Sequence, residues 1–205
     1  MLEGKDLACV RGDRTLFTRL DFTLGAGELL LVQGTNGSGK TSLLRMVCGL
    51  LTPAYGEIRW NGKRIDRERE DYHAELAYFG HMPAIKEELS ALENLDIACR
   101  LAGQPASLDD AKDALEHLGL AHCLELPTKA LSQGQRRRVA LARLMLAKAR
   151  LWVLDEPLTA LDVGAARLVQ TLIGTHLRAG GMALLTTHQP IAVDGIEPKL
   201  LQLSA

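Results

Sequence analysis

No apolar run in this 205-residue chain approaches the roughly 18 consecutive residues that a membrane-crossing helix needs. The longest, such as Leu29–Val32 and Leu151–Leu154, have the length of buried strands. A protein of this kind that works at a membrane has to be held there by something else. Cysteine is scarce and scattered: Cys9, Cys48, Cys99 and Cys123 form no CxxC pair. That excludes a disulfide or zinc framework and predicts reduced thiols in a cytosolic protein. Net charge is also nearly absent, at −1 from 24 basic and 25 acidic residues, so no overall basic field draws the chain to nucleic acid or anionic lipid. The opening MLEGKDLACVRGDR carries charge from its third residue and lacks an apolar centre, which predicts no signal peptide. There is no internal repeat and no low-complexity tract. What is present is an ordinary globular balance, 47% hydrophobic and 24% charged. The length suits one domain with a full core and a small inserted lobe.

The order of elements can be read from the pattern. Leu16–Leu24 alternates loosely and is broken by Gly25 and Gly27, as a strand before a turn. Leu29–Val32 predicts a buried strand. It runs into the glycine-rich stretch Gly34–Gly39, after which Thr41–Leu51 has helical spacing and is expected to stop before Pro53. Leu92–Ala102 and Leu108–Leu118 read as amphipathic helices with no strand beside them, so residues from about 84 to 127 are expected to be a helical insertion. Gln133–Ala149 is a further helix, rich in arginine, and Leu151–Leu154 and Met182–Thr186 are apolar strands separated by a helical segment. Strands alternating with helices predict an α/β fold with a mainly parallel sheet covered on both faces.

Four short motifs carry chemistry. Gly34, Thr35, Asn36, Gly37, Ser38, Gly39, Lys40 and Thr41 fit GxxxxGK[ST]. The glycines let the backbone wrap a phosphate and aim its N–H groups inward, and the positive end of the next helix adds to that field. In such a loop Lys40 reaches the β- and γ-phosphates and the Thr41 hydroxyl ligates Mg²⁺. Leu151-Trp-Val-Leu-Asp155-Glu156 puts two carboxylates at the carboxyl edge of a strand, where open α/β sheets bind ligands. Asp155 would serve Mg²⁺, and Glu156 would take a proton from the attacking water or orient it. By itself such an acidic pair is also a common solvated strand end. Ser132, Gln133, Gly134 and Gln135 follow Leu131 and could form a second phosphate cradle, or only a helix cap. His188 follows an apolar strand and could touch a γ-phosphate, although a lone histidine there is as easily a surface residue.

The order of these motifs resolves them. Phosphate loop, LSQGQ, an apolar run ending in Asp155-Glu156, and His188 together resemble the ATP-binding cassette. Thr159-Ala-Leu-Asp162 looks like that family's D-loop. The resemblance covers nearly the whole chain. It implies an α/β P-loop NTPase core of RecA-like type, with an N-terminal antiparallel β part and a small helical subdomain. A single domain would then run over 1–205, with its core at about 1–83 and 128–205 and the helical subdomain at about 84–127. The resemblance also implies a head-to-tail homodimer, each ATP lying between one chain's phosphate loop and the other's Ser132–Gly134.

Two departures from the family's pattern narrow it. Where cassettes usually carry a glutamine before the helical insertion, this chain reads Tyr78-Phe-Gly-His81-Met-Pro83, so His81 takes the place of a residue that senses γ-phosphate and Mg²⁺. Histidine can gain charge near neutral pH, and Pro83 restricts the backbone beside it, so His81 is expected to couple nucleotide state to the insertion. The usual adenine-stacking aromatic is also missing, and Arg11 lies closest to its place; an arginine plane can stack on a base. With Arg14-Thr-Leu-Phe17, Ala91–Leu95, Gly134–Leu144 and Leu185–Pro190, these features resemble the ATP-binding subunit of the cytochrome c maturation system, often called the haem exporter ATPase. That implies two ATPase subunits on the cytoplasmic face of the bacterial inner membrane, peripheral, bound to two integral membrane subunits. It further implies an indirect link to a periplasmic haem chaperone.

Other readings are weaker. Arg136, Arg137 and Arg138 could suggest nucleic acid or ribosomes, but one cassette, no heptads and a net charge of −1 favour a solvated helix face with ion pairs, so no nucleic-acid partner is expected. A small P-loop kinase or GTPase would leave LSQGQ unexplained, and no NKxD-type guanine motif is present. The six histidines, His73, His81, His117, His122, His176 and His188, form no CxxCH and no close pair on a helix, which favours surface or structural roles over haem binding.

Overall fold

A computed structural model describes residues 1–82 and 84–203. Pro83, and with it the expected backbone restriction beside His81, lies outside the described residues. The N-terminal half begins with β1 (Leu2–Arg11) and β2 (Arg14–Leu24), a hairpin, followed by β3 (Leu29–Gln33) and helix α1 (Lys40–Val47). Next come β4 (Tyr55–Trp60), the short β5 (Lys63–Arg64), α2 (Arg69–Ala74) and β6 (Leu76–Phe79). Three helices follow, α3 (Ala91–Leu101), α4 (Leu108–His117) and α5 (Gln133–Leu146). The chain closes with β7 (Leu151–Asp155), α6 (Val163–Arg178), β8 (Met182–Thr186) and β9 (Lys199–Gln202).

Two sheets form. The antiparallel one has the order β2-β1-β4-β5, and the parallel one the order β6-β7-β8-β3-β9. Strand periodicity explains how the parallel sheet buries both faces. Leu29, Leu31, Trp152, Leu154, Ala183 and Leu185 join one core with α3–α6. Their sequence neighbours Leu30, Val32, Leu151, Val153, Met182 and Leu184 join the other, with α1 and the antiparallel sheet. The α/β class with its parallel and antiparallel parts is the one expected.

Local chemistry sets the helix boundaries. Ser90, Ser107 and Ser132 each cap a helix reciprocally with the acid or amide three residues on, Glu93, Asp110 and Gln135, the capping-box arrangement. Helix α1 ends earlier than its spacing predicts, at Val47 rather than Leu51. Gly49, at φ 68°, turns the chain left-handed, and Leu50 N–H donates back to the Arg45 carbonyl at 2.8 Å, so glycine rather than Pro53 stops it. Gln133–Ala149 likewise stops at Leu146. The segment holding α3 and α4 is closed at its ends. Thr128, fully buried, donates from Oγ1 to the Lys86 carbonyl (2.9 Å) and from its N–H to the Leu89 carbonyl (2.8 Å). The Asn94 amide donates to the carbonyls of Lys86 (3.0 Å) and Ser90 (2.9 Å). No helix among the described residues is long and apolar enough to cross a membrane.

Candidate nucleotide-binding site

The glycine loop joins β3, an interior strand of the parallel sheet, to α1. Its close packing requires glycine at both ends. A Cβ on Gly34, at φ 152°, would stand 2.9 Å from the Leu203 carbonyl oxygen, and one on Gly39, at φ 102°, would stand 3.0 Å from the Phe17 ring. Because Gly39 has no side chain, α1 starts without a side-chain cap; its first N–H groups remain directed into the loop. Lys40 folds back along the loop, its ammonium donating to the carbonyls of Gly34 (2.9 Å) and Thr35 (3.2 Å).

The acids come from β7, two strands away from β3. Asp155 is only 2% exposed. It accepts from Thr41 Oγ1 at 3.0 Å and from Thr186 Oγ1 at 2.7 Å, which ties α1, β7 and β8 together at the carboxyl edge of the sheet. Glu156 follows in left-handed backbone, φ 55°, held by its N–H donating to Thr186 Oγ1 at 3.0 Å. Its carboxylate accepts from Thr159 Oγ1 at 3.3 Å and lies 3.3 Å from His188 Nε2. An open cleft of ≈ 520 Å³ is lined by Asn36, Gly37, Gly39, Lys40 and Thr41 on one side and by His81, Asp155, Glu156, Thr159 and His188 on the other.

The structure thus brings the phosphate loop, both acids, His81 and His188 into one cleft. Ser132, Gln133, Gly134 and Gln135 are not among its lining residues. They form the first turn of α5 against the 159–162 turn, where a Cβ on Gly134 would lie 2.9 Å from the Ala160 carbonyl oxygen. Arg11 is exposed at the end of β1 and does not line the cleft. Leu16 does line it, and Arg14 approaches the loop, its Nη1 standing 4.0 Å from where a Cβ on Gly37 would be. None of the described lining residues is Phe, Tyr or Trp. Weak base discrimination is therefore expected: competition binding should give less than about tenfold preference for ATP over GTP, or ~1.4 kcal/mol. A hundredfold preference would mean that another side chain reads the base.

Two contributors are hidden in the sequence. Thr186, fully buried, bonds the Asp155 carboxylate and the Glu156 N–H; its signal is a hydroxyl directly closing the apolar run Met182–Leu185. Arg137 looks, from the sequence, like part of a solvated arginine face. Arg136 fits that description, paired with Glu87 at 2.7 Å, but Arg137 is 5% exposed and Arg138 donates to the Leu118 carbonyl at 2.8 Å. Position 137 shares its helix face with Ala140, Leu141 and Leu144, all buried, and that spacing was the available signal. Burial depresses the Arg137 pKa, an effect opposed by the nearby Glu156 and Asp155 carboxylates.

A strand, a phosphate loop, a helix and a carboxylate pair two strands away define a nucleotide-binding P-loop ATPase of the cassette type. Residues 17–159 match the ABC transporter family model, and the chain belongs to that family. It is 58% identical to the cytochrome c biogenesis ATP-binding export protein CcmA of Dechloromonas aromatica, over 99% of this chain and 100% of that protein. It is 54% identical to the protein of the same name from Nitrosospira multiformis, over 99% and 98%. Among solved structures it resembles a putative ABC transporter ATP-binding protein from Pyrococcus furiosus, with TM-score 0.85, 28% identity, and coverage of 98% of this chain and 96% of that one. The dimeric ABC transporter cassette MJ0796 has the same fold, with TM-score 0.85 at 20% identity over 98% and 94%.

Proposed function

We propose that this chain is the ATP-hydrolysing subunit of a transporter for cytochrome c biogenesis, working as a head-to-tail homodimer against two integral membrane subunits. The observation that carries the hydrolytic part is the single cleft holding Lys40, Thr41, Asp155, Glu156 and His188. The cytochrome c role is supported by the names of the relatives with 54% and 58% identity over nearly the whole chain. In this reading the homodimer sits peripherally on the cytoplasmic face of the bacterial inner membrane. Its turnover drives haem export or release of a haem-loaded periplasmic chaperone.

Lys40 and the loop N–H groups hold the β- and γ-phosphates. The donor set fits Mg²⁺: a hydroxyl and a carboxylate, Thr41 Oγ1 and Asp155 Oδ2, 3.0 Å apart, are hard oxygens of the kind that ion takes beside phosphate and water. When bound, Mg²⁺ neutralises charge on the phosphates. Glu156 orients the attacking water and accepts its proton. His188, 3.3 Å from that carboxylate, holds it and faces the γ-phosphate. His81, which also lines the cleft, couples the state of the nucleotide to the helical segment at about 84–127.

Ser132–Gln135 lies outside the cleft of its own chain, and this supports a site completed by a second subunit. Ser132→Arg is therefore expected to block hydrolysis while leaving ATP binding to the isolated chain within about threefold of wild type. Phosphate release and monomer binding are the two measurements. A comparable loss of monomer affinity would place this loop in the wrong site.

A further inference from the structure

Arg137 is a buried cation that the roles above leave unused. Among the described residues it makes no ion pair. Its guanidinium is spent on backbone carbonyls: Nη1 donates to His81 O at 3.2 Å, and Nη2 donates to Asp155 O at 3.4 Å and also to Glu156 O. It lies over the Phe79 ring, 5.0 Å from the centroid. Phe79 ends β6 and Asp155 ends β7, and these strands are paired neighbours. One side chain therefore gathers the carboxyl ends of two adjacent strands. The first carries His81 into the cleft, and the second carries Glu156.

Burying an arginine without a carboxylate partner is costly, and a neutral apolar residue would suit the same helix face. The fork geometry explains the choice, because a planar guanidinium can serve several carbonyls at once while an ammonium acts as a point charge. The geometry points to Arg137 as a positioning residue for hydrolysis, holding the left-handed backbone of Glu156 and the His81 loop so that the Glu156 carboxylate faces the γ-phosphate. It is not a catalytic residue, since it does not line the cleft. It stands five residues along α5 from Ser132, about 7.5 Å of helix. The helix that presents Ser132–Gln135 to a second subunit thereby also holds this chain's own Glu156. The inference rests on the assignment of Glu156 made above.

The test is a double-mutant cycle on the chain assembled with its membrane partners, comparing wild type, Arg137→Gln, Glu156→Gln and the double variant in steady-state and single-turnover hydrolysis. Arg137→Gln is expected to lower kcat by about tenfold or more, as small misplacements of a reacting group do, with KM for ATP within about threefold. The double variant is expected to be no slower than Glu156→Gln alone, because both changes act through one carboxylate. Arg137→Lys, which keeps the charge and loses the fork, is expected to fold and to recover part of kcat. A wild-type kcat in Arg137→Gln, losses that multiply in the double variant, or failure of both Arg137 variants to fold would each overturn the positioning role. Wild-type hydrolysis by Glu156→Gln would instead overturn the assignment of Glu156 itself.

Discussion

Lys40→Ala is expected to reduce ATP hydrolysis by roughly 10²–10³ or more, the scale on which a preorganised charge aimed at developing negative charge contributes. Lys40 is the one side-chain cation among the described residues lining the cleft, apart from whatever charge its histidines carry. Its ammonium already lies along the loop, bonded to Gly34 and Thr35 carbonyls, so little ordering remains when the phosphates arrive. Alanine removes both the charge and those two loop bonds. The helix itself should tolerate the change, since alanine is a better helix former than lysine. Phosphate release by the chain with its membrane partners, together with a thermal melt, separates the two effects. Activity close to wild type would rule out the assigned phosphate loop.

The second large effect is expected from Glu156→Gln. Glutamine is nearly isosteric and can still bond Thr159 and His188, yet it accepts no proton at the operating pH. Hydrolysis should slow by roughly 10²–10⁴, the usual range for general-base catalysis, with ATP affinity nearly intact. Bound, unhydrolysed ATP should then accumulate in a closed dimer, visible as an ATP-dependent doubling of mass by light scattering. Slow hydrolysis with no enrichment of dimer would count against the two-subunit site, and hydrolysis at the wild-type rate would count against Glu156 as the base.

The parts legible from sequence were those fixed by local chemistry. The phosphate loop is written in one contiguous stretch, Gly34–Thr41, with three closely spaced glycines. Strands β3, β7 and β8 are written in apolar runs whose period places alternate residues in two cores. The cap at Ser132, one of the two readings its motif offered, is likewise local. What sequence hid depends on tertiary partners. Strand β9 is mostly exposed, Lys199–Gln202, and is held by β3 rather than by its own pattern. Strand β6, Leu76–Phe79, is too short to show a period. Thr186 and Arg137 look ordinary until folding sets them against Asp155 and Glu156. Arg11, exposed at the end of β1, is not among the residues lining the cleft, whereas Leu16 of β2 is.

The strand order also governs when during synthesis this protein can first bind nucleotide. Among the described residues the loop-bearing strand β3 pairs with two neighbours, β8 at Met182–Thr186 and β9 at Lys199–Gln202. Everything between α1 and β8 leaves the ribosome before either neighbour exists. The antiparallel sheet, built from residues 2–64, can close early, because all four of its strands have emerged by Arg64. The phosphate loop cannot, since β3 stays unpaired on both edges until well over a hundred further residues have emerged. An exposed apolar strand is prone to aggregation in that interval. A nascent chain stalled before Met182 would therefore carry the full glycine motif and still lack an ATP site.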